Sequence, residues 1–384
     1  MPLSFRRVSI GSLLTLSACS LLACVGDTAA PVVDGGVDSA VVVDASRDVT
    51  PDVRDAGAPD APGDVVVDAA PTPRPAGIAG FAYAHQPSAT SPYAPPAAFA
   101  YDAAGGAITV NRAAGGYYVV TFADLNLTNA NVQVTTYGTN AKCNLDSFGG
   151  SNVMVRCFDW QGYAADSAFT VAVVTQNVVT DAEVLGYAQA NDPSSASYVP
   201  PASFAYSAGG GAISAARGGV GVYALTLTGV APSAGNVQVS AFGGPALCTV
   251  AGWSASTVDV RCYGLDGKPA DSRYTLLYLG TGQKSTAKVI AYALANDMSS
   301  SSYTPLGVTT YNSGGQGISA TRAGAGIYSL DFGGLGFVSG SAKVTTYGVN
   351  TKVCQIAGWT GTFATNCYLG VSLSDTQYSV LVVK

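Results

Sequence analysis

Six cysteines recur in pairs along the chain: Cys143 with Cys157, Cys248 with Cys262, and Cys354 with Cys367, separated by fourteen, fourteen and thirteen residues. Thiol pairs at such spacing could bind zinc or form disulfides. Zinc needs four ligands, and no His or third Cys recurs beside these pairs, so each is expected to close a disulfide, with no metal or other cofactor. A second recurrent set is charged. Arg112, Arg217 and Arg322 each precede a Gly by four residues and a Tyr by six, while Asp166, Asp271 and Asp375 each open a strand-like run. Such a pair is either a structural Arg to Asp bridge or a polar binding site repeated three times. The third set is aromatic: Phe148, Trp253 and Trp359 stand five residues after the first Cys of each pair. Trp253 and Trp359, next to a hairpin turn, are the candidates for an exposed platform on which sugar rings could stack.

Other chemistry finds little support. His85 is the single His, so a Ser-His-Asp arrangement could draw only on His85, Asp166 and Ser167, and nothing around them resembles a nucleophile elbow. Glycoside hydrolysis needs two carboxylates with divergent pKa values, and the recurrent acid column supplies one per copy. Asn191-Asp192 and Asn296-Asp297, where the first copy has His85, offer too few oxygens for calcium and read as Asx turns. The Gly clusters SAGGGAIS and ARGGVGVY precede strands, so no helix N-terminus receives a phosphate. No catalytic residue is assigned, and the chain is not expected to be an enzyme.

These residues are carried by a threefold duplication. Cys157, Cys262 and Cys367 are spaced by 105 residues, which divides the chain into modules at 77–181, 182–285 and 286–384. Period-2 alternation broken by Gly, Pro, Ser or Asn gives eight short strands in the first module: GFAYAH, AAFAYD, AITVN, GYYVVTF, NVQVTTY, KCNLDS, NVMVRCFD and SAFTVAVV. Glu occurs once, at Glu183, and Tyr (21) outnumbers Lys and Arg together (18), so good surface-helix formers are scarce. The expected fold is all-β, with three tandem antiparallel β-sandwich modules, jelly-roll or Ig-like, arranged as beads. Cys143 and Cys157 lie symmetrically about Gly150, so a hairpin there would set them opposite each other on neighbouring strands. Further aromatic columns read as core: Tyr83, Tyr187 and Tyr292; Tyr93, Tyr198 and Tyr303; Tyr101, Tyr206 and Tyr311; Tyr118, Tyr223 and Tyr328; Phe169, Tyr274 and Tyr378.

The N-terminus differs in kind. MPLSFRR and the apolar run after it read as a signal peptide over 1–24, ending in two lipobox-like sequences, Leu16-Ser17-Ala18-Cys19 and Leu21-Leu22-Ala23-Cys24. Lipidation at Cys24 leaves six cysteines to pair, whereas lipidation at Cys19, the alternative, leaves Cys24 a spare thiol. Residues 25–76 hold ten Asp, three Arg and no aromatic, and this Asp/Pro/Val/Ala-rich segment is expected to be a disordered tether. As a flexible coil it would span on the order of 40 Å. Residues 77–384 carry fourteen acids against thirteen bases, which leaves no basic patch for nucleic acid.

The succession Tyr-Ala-x-Ala-Asn-Asp, Arg-x-Gly-x-Gly-x-Tyr, Val-x-Val-x-Cys and Asp-Ser-x-Tyr or Phe resembles a tandem β-module of secreted bacterial proteins and lipoproteins with no assigned function. The resemblance covers residues 77–384 and is fullest in the second module, at Tyr187, Asn191, Arg217, Tyr223, Cys248, Cys262, Asp271 and Tyr274. The first module departs at His85, and the third at Asn366, where the others carry Arg156 and Arg261. The resemblance implies fold and compartment, and no chemistry. The expectation is a lipid-anchored bacterial envelope protein, on the outer membrane or secreted. It would touch a membrane through its lipid and present its modules for adhesion, envelope interaction or ligand capture, with glycan recognition as the alternative and a secreted hydrolase third.

Overall fold

The computed structural model describes residues 78–176, 184–230, 234–280 and 290–384. The signal-like segment with Cys19 and Cys24, the 25–76 segment and the junctions near 181 and 285 lie outside the described residues.

The described residues are all-β. The first repeat contributes β1 (Ile78–Ala84), β2 (Ala100–Asp102), β3 (Ile108–Ala114), β4 (Tyr117–Phe122), β5 (Ala130–Tyr137), β6 (Lys142–Gly149), β7 (Asn152–Phe158) and β8 (Ala168–Thr175), one for each expected run. The second contributes β9 (Val184–Ala190), β10 (Ser197–Tyr198), β11 (Ala205–Ser207), β12 (Ile213–Gly219), β13 (Val222–Leu227), β14 (Asn236–Phe242), β15 (Leu247–Ser254), β16 (Thr257–Tyr263) and β17 (Arg273–Gly280). The third contributes β18 (Ile290–Ala295), β19 (Ser302–Tyr303), β20 (Thr310–Asn312), β21 (Ile318–Gly324), β22 (Ile327–Phe332), β23 (Ser341–Thr346), β24 (Val353–Thr360), β25 (Thr362–Leu369), β26 (Ser372–Leu373) and β27 (Tyr378–Val383).

One pairing scheme occurs three times. In the first repeat β5-β8-β1-β2 form one antiparallel group and β6-β7-β4-β3 another, and a single hydrophobic cluster draws Val132, Phe169 and Val171 from the first group and Tyr118, Val120 and Val155 from the second. The strands β8, β17 and β27 are buried on both faces, which is why each reads as a nearly unbroken apolar run. Phe169, Val171 and Val173 point into their own repeat's cluster, whereas Ala172 and Val174 join a fourth cluster on the opposite face.

That fourth cluster belongs to all three repeats. It gathers Ile78, Phe81, Ala172 and Val174 with Leu185, Tyr187, Leu277 and Leu279 and with Ile290, Tyr292, Leu381 and Val383, four equivalent positions from each copy. Phe81, Tyr187 and Tyr292 each pack on a neighbour, Tyr101, Tyr206 or Tyr311, with ring centroids 5.7, 5.6 and 5.8 Å apart. The expected column is thereby corrected by two residues. Phe81, not Tyr83, is the counterpart of Tyr187 and Tyr292, since it pairs with Tyr101 as they pair with Tyr206 and Tyr311.

The repeats are also stitched edge to edge. Tyr137 meets Ile356, Phe242 meets Leu145 and Tyr347 meets Val250, each as a short parallel contact between two repeats. The next residue then donates its N–H across the seam: Gly138 to Ile356 O, Gly243 to Leu145 O and Gly348 to Val250 O, at 2.8, 2.7 and 2.8 Å. The first repeat thus joins the third, the second joins the first and the third joins the second, closing a ring with pseudo-threefold symmetry. The arrangement as beads is therefore not found, and the described residues belong to one compact unit. The physical reason is the apolar outer face of β8, β17 and β27, which no single repeat can cover.

Candidate functional site

The three cysteine pairs form disulfides within their own hairpins. Cys143 faces Cys157, Cys248 faces Cys262 and Cys354 faces Cys367, with Cα separations of 3.9, 4.1 and 4.0 Å. A one-residue bulge in β6, β15 and β24 sits between each Cys and the hairpin turn. The third turn is one residue shorter, which accounts for its thirteen-residue spacing. Three disulfides point to an oxidising extracellular or envelope compartment. Among the described residues, no helix is long and apolar enough to cross a membrane, and no cluster of three or more His, Cys, Asp or Glu could hold a metal.

The Arg and Asp columns come together as bridges. Arg112 donates Nε to Asp166 Oδ1 and Nη2 to Oδ2 at 2.9 and 2.8 Å; Arg217 binds Asp271 and Arg322 binds Asp375 in the same two-pronged way. Each Oδ1 also accepts the N–H of Gly116, Gly221 or Gly326 and the hydroxyl of Tyr118, Tyr223 or Tyr328. The glycines are required here. Their φ values are 64°, 65° and 68°, and a Cβ on Gly116 would lie 2.6 Å from Cys157 O. The Arg partner above all holds the three carboxyls below their ordinary range, Asp271 to about 2. The tyrosine hydroxyls are pushed up by burial. Each carboxylate is thus committed to a clamp that ties the β3–β4, β12–β13 or β21–β22 turn to the last strand of its repeat.

The indoles are likewise spent on packing, which corrects their expected exposure. Trp359 is only 9% exposed, and its ring lies 5.0 Å from Tyr137, 5.4 Å from Phe99 and 5.6 Å from Tyr83, all in the first repeat. Half-buried Trp253 packs edge-on against Tyr347 of the third repeat, and Phe148 packs against Phe204 and Phe242 of the second. The column expected as a platform is the aromatic seal of the three seams.

His85, Asp166 and Ser167 are not assembled into a triad. His85 bonds Gln86 and contacts the Tyr83 and Tyr93 rings, Asp166 is held by Arg112, and Ser167 is buried with its Oγ on Thr139 and Ala168 O. Asp192 and Asp297 accept bonds from Ser194 and Ser195 and from Ser299 and Ser300, as Asx turns do.

Side chains from all three repeats converge at a cavity of about 60 Å³ whose lining includes equivalent residues of each copy. Its hydroxyls form a relay around the ring: Ser240 Oγ accepts Val134 N–H, Thr345 Oγ1 accepts Val239 N–H and Thr135 Oγ1 accepts Val344 N–H, at 2.9, 3.0 and 3.2 Å. Lys142 is the one charged residue in the lining, where the other copies place Leu247 and Val353. Its ammonium stands 4.6 Å from the centre of the Trp160 ring, and burial lowers its pKa to about 8, against the opposing pull of Asp159. The cavity is therefore lined by hydroxyl-bearing residues of all three copies, with Lys142 at one side and its ammonium over the Trp160 ring. Its sequence signal was the odd member of a column, a Lys beside the first Cys where the other copies have Leu and Val. No protein-family model, curated protein or solved structure matches the chain.

Proposed function

We propose that this chain is a non-enzymatic envelope protein, lipid-anchored at Cys24 with Cys19 as the alternative. In this reading residues 25–76 tether a head of three antiparallel β-sandwich repeats of jelly-roll or Ig-like type, used for adhesion, envelope interaction or ligand capture. The observation that carries the reading is the cavity shared by all three repeats, while the recurrent Arg and Asp side chains bind each other. Its hydroxyls and the single Lys142 ammonium suit a small polar ligand bearing an anionic or electron-rich group. Carbohydrate recognition is the second reading. Tyr163, 72% exposed on the loop that carries Trp160, favours it more than the packed Trp253 or Trp359 does.

The test is retention of the whole oxidised protein on arrays of glycans, envelope polymers and small carboxylates. Capture at the shared cavity predicts binding that falls at least tenfold in Lys142→Gln, and sugar stacking predicts loss in Tyr163→Ala. Failure to bind any of these surfaces, together with turnover in a hydrolase screen, would reverse the assignment. For the anchor, labelling with a lipid precursor should be abolished by Cys24→Ala and retained by Cys19→Ala.

A further inference from the structure

In every copy the turn after β5, β14 or β23 meets the start of that copy's last strand, and the second copy builds this junction differently. In the first, Thr139 Oγ1 on the turn bonds Ser167 Oγ at 2.7 Å, and in the third Asn350 Nδ2 donates to Thr376 Oγ1 at 3.2 Å. A turn side chain thus closes the junction in both. In the second the turn reads Gly243-Gly244-Pro245, which has no side chain able to bond Ser272, the counterpart of Ser167 and Thr376. The junction stays open there as a groove of about 330 Å³ whose walls include Pro193, Phe242, Gly244, Pro245 and Arg273.

The same copy changes the residue across from the turn. Arg273 pairs with Phe242 where Ala168 pairs with Tyr137, and the third copy has Gln377, whose Nε2 donates to Asn296 O at 2.7 Å. Two copies therefore fold without a cation at this position. Arg273 is exposed and its guanidinium carbon stands 4.7 Å from the centre of the Phe242 ring, with no hydrogen bond or ion pair among the described residues. A ring contact occupies the face of the guanidinium and leaves its N–H edge free to donate. Asp271 also lines the groove, but its oxygens are taken by Arg217, Gly221 and Tyr223, and the Arg217 charge offsets its own. One uncommitted positive charge remains, beside the apolar rings of Pro193, Phe242 and Pro245. A planar fork of N–H groups matches the two oxygens of a carboxylate, and the nearby Asp271 disfavours a second negative charge on the ligand. From the open junction, the unpaired fork and the two closed copies beside it, we infer that this groove binds a small organic monocarboxylate with an apolar body, held through Arg273. It shares only Ala246 with the lining of the central cavity, so it is a further site and does not rest on the reading of that cavity.

The probe is benzoate, titrated into the intact oxidised chain at constant ionic strength and followed by calorimetry and amide NMR shifts. One equivalent should bind and shift the Gly243, Gly244 and Arg273 amides, whereas benzamide, without the charge, and acetate, without the body, should bind at least tenfold more weakly. Arg273→Gln installs the third copy's residue and should weaken benzoate at least tenfold. Gly244→Thr installs the first copy's residue in open space and should do the same by closing the groove. No binding of benzoate, equal binding of benzamide, or full affinity in Arg273→Gln would overturn the inference. Binding lost in Lys142→Gln and kept in Arg273→Gln would move benzoate to the central cavity and overturn it as well. Should either groove variant not fold, the amide shifts of the wild-type chain decide.

Discussion

The core inside each repeat and the core shared between repeats are made from opposite faces of the same strands. Inside, Tyr118, Val120, Phe169 and their counterparts are joined by a disulfide and an Arg–Asp–Tyr clamp, all within one copy. Between copies, the apolar cluster and the buried hydrogen bonds from Gln133 to Thr275, Gln238 to Ser379 and Lys343 to Thr170 have partners only when all three are present. The inner core therefore shapes a repeat, and the shared core holds it folded.

The sharpest way to break this distinction is to remove two copies. Residues 182–285 alone would bare Leu185, Tyr187, Leu277 and Leu279, each worth about 1.5–3 kcal/mol when buried, and should lack fixed tertiary structure by near-UV circular dichroism. A stable, monomeric single repeat would refute the role given to the shared core. Next, Leu277→Ala, in the shared cluster, should cost about 2–5 kcal/mol in urea unfolding of the whole chain, as much as a substitution inside one repeat.

The clamps test the other side. Asp271→Ala leaves the Arg217 guanidinium, the Tyr223 hydroxyl and the Gly221 N–H without their acceptor, and loss of the two part-buried bonds should cost about 1–3 kcal/mol. Because Asp271 titrates near 2, below its ordinary range, the stability it contributes is present in full above about pH 5 and disappears as pH falls toward 2. An acid titration of Asp271→Ala should be shallower than that of wild type. Of similar size, opening one disulfide with Cys248→Ala and Cys262→Ala should cost about 3 kcal/mol, with the ring left closed.

Much of the inner architecture could be read from the chain, because its determinants are local. Alternation gave the strands of the first repeat, Cys143 and Cys157 lie where a hairpin about Gly150 puts them, and Arg112 meets Asp166. The shared core was harder to see. Ala172 and Val174 alternate with Phe169, Val171 and Val173 in one apolar run, so periodicity cannot reveal a second buried face. Trp359 looked exposed because its neighbour in sequence is a hairpin turn, whereas its neighbours in space, Tyr83 and Tyr137, lie more than two hundred residues away. Lys142 stood in the internal alignment as a single departure from a column of Leu and Val, and only its burial gives that departure meaning.

Each seam joins one copy's β5-type edge to the flank of another, a head-to-tail contact that closes after three steps. Copy number is thereby written into geometry. Unlike a solenoid, which lengthens with every duplication, this gene could not add a fourth unit without opening the circle, and a shortened gene encoding one unit would need to recruit two siblings to rebuild it.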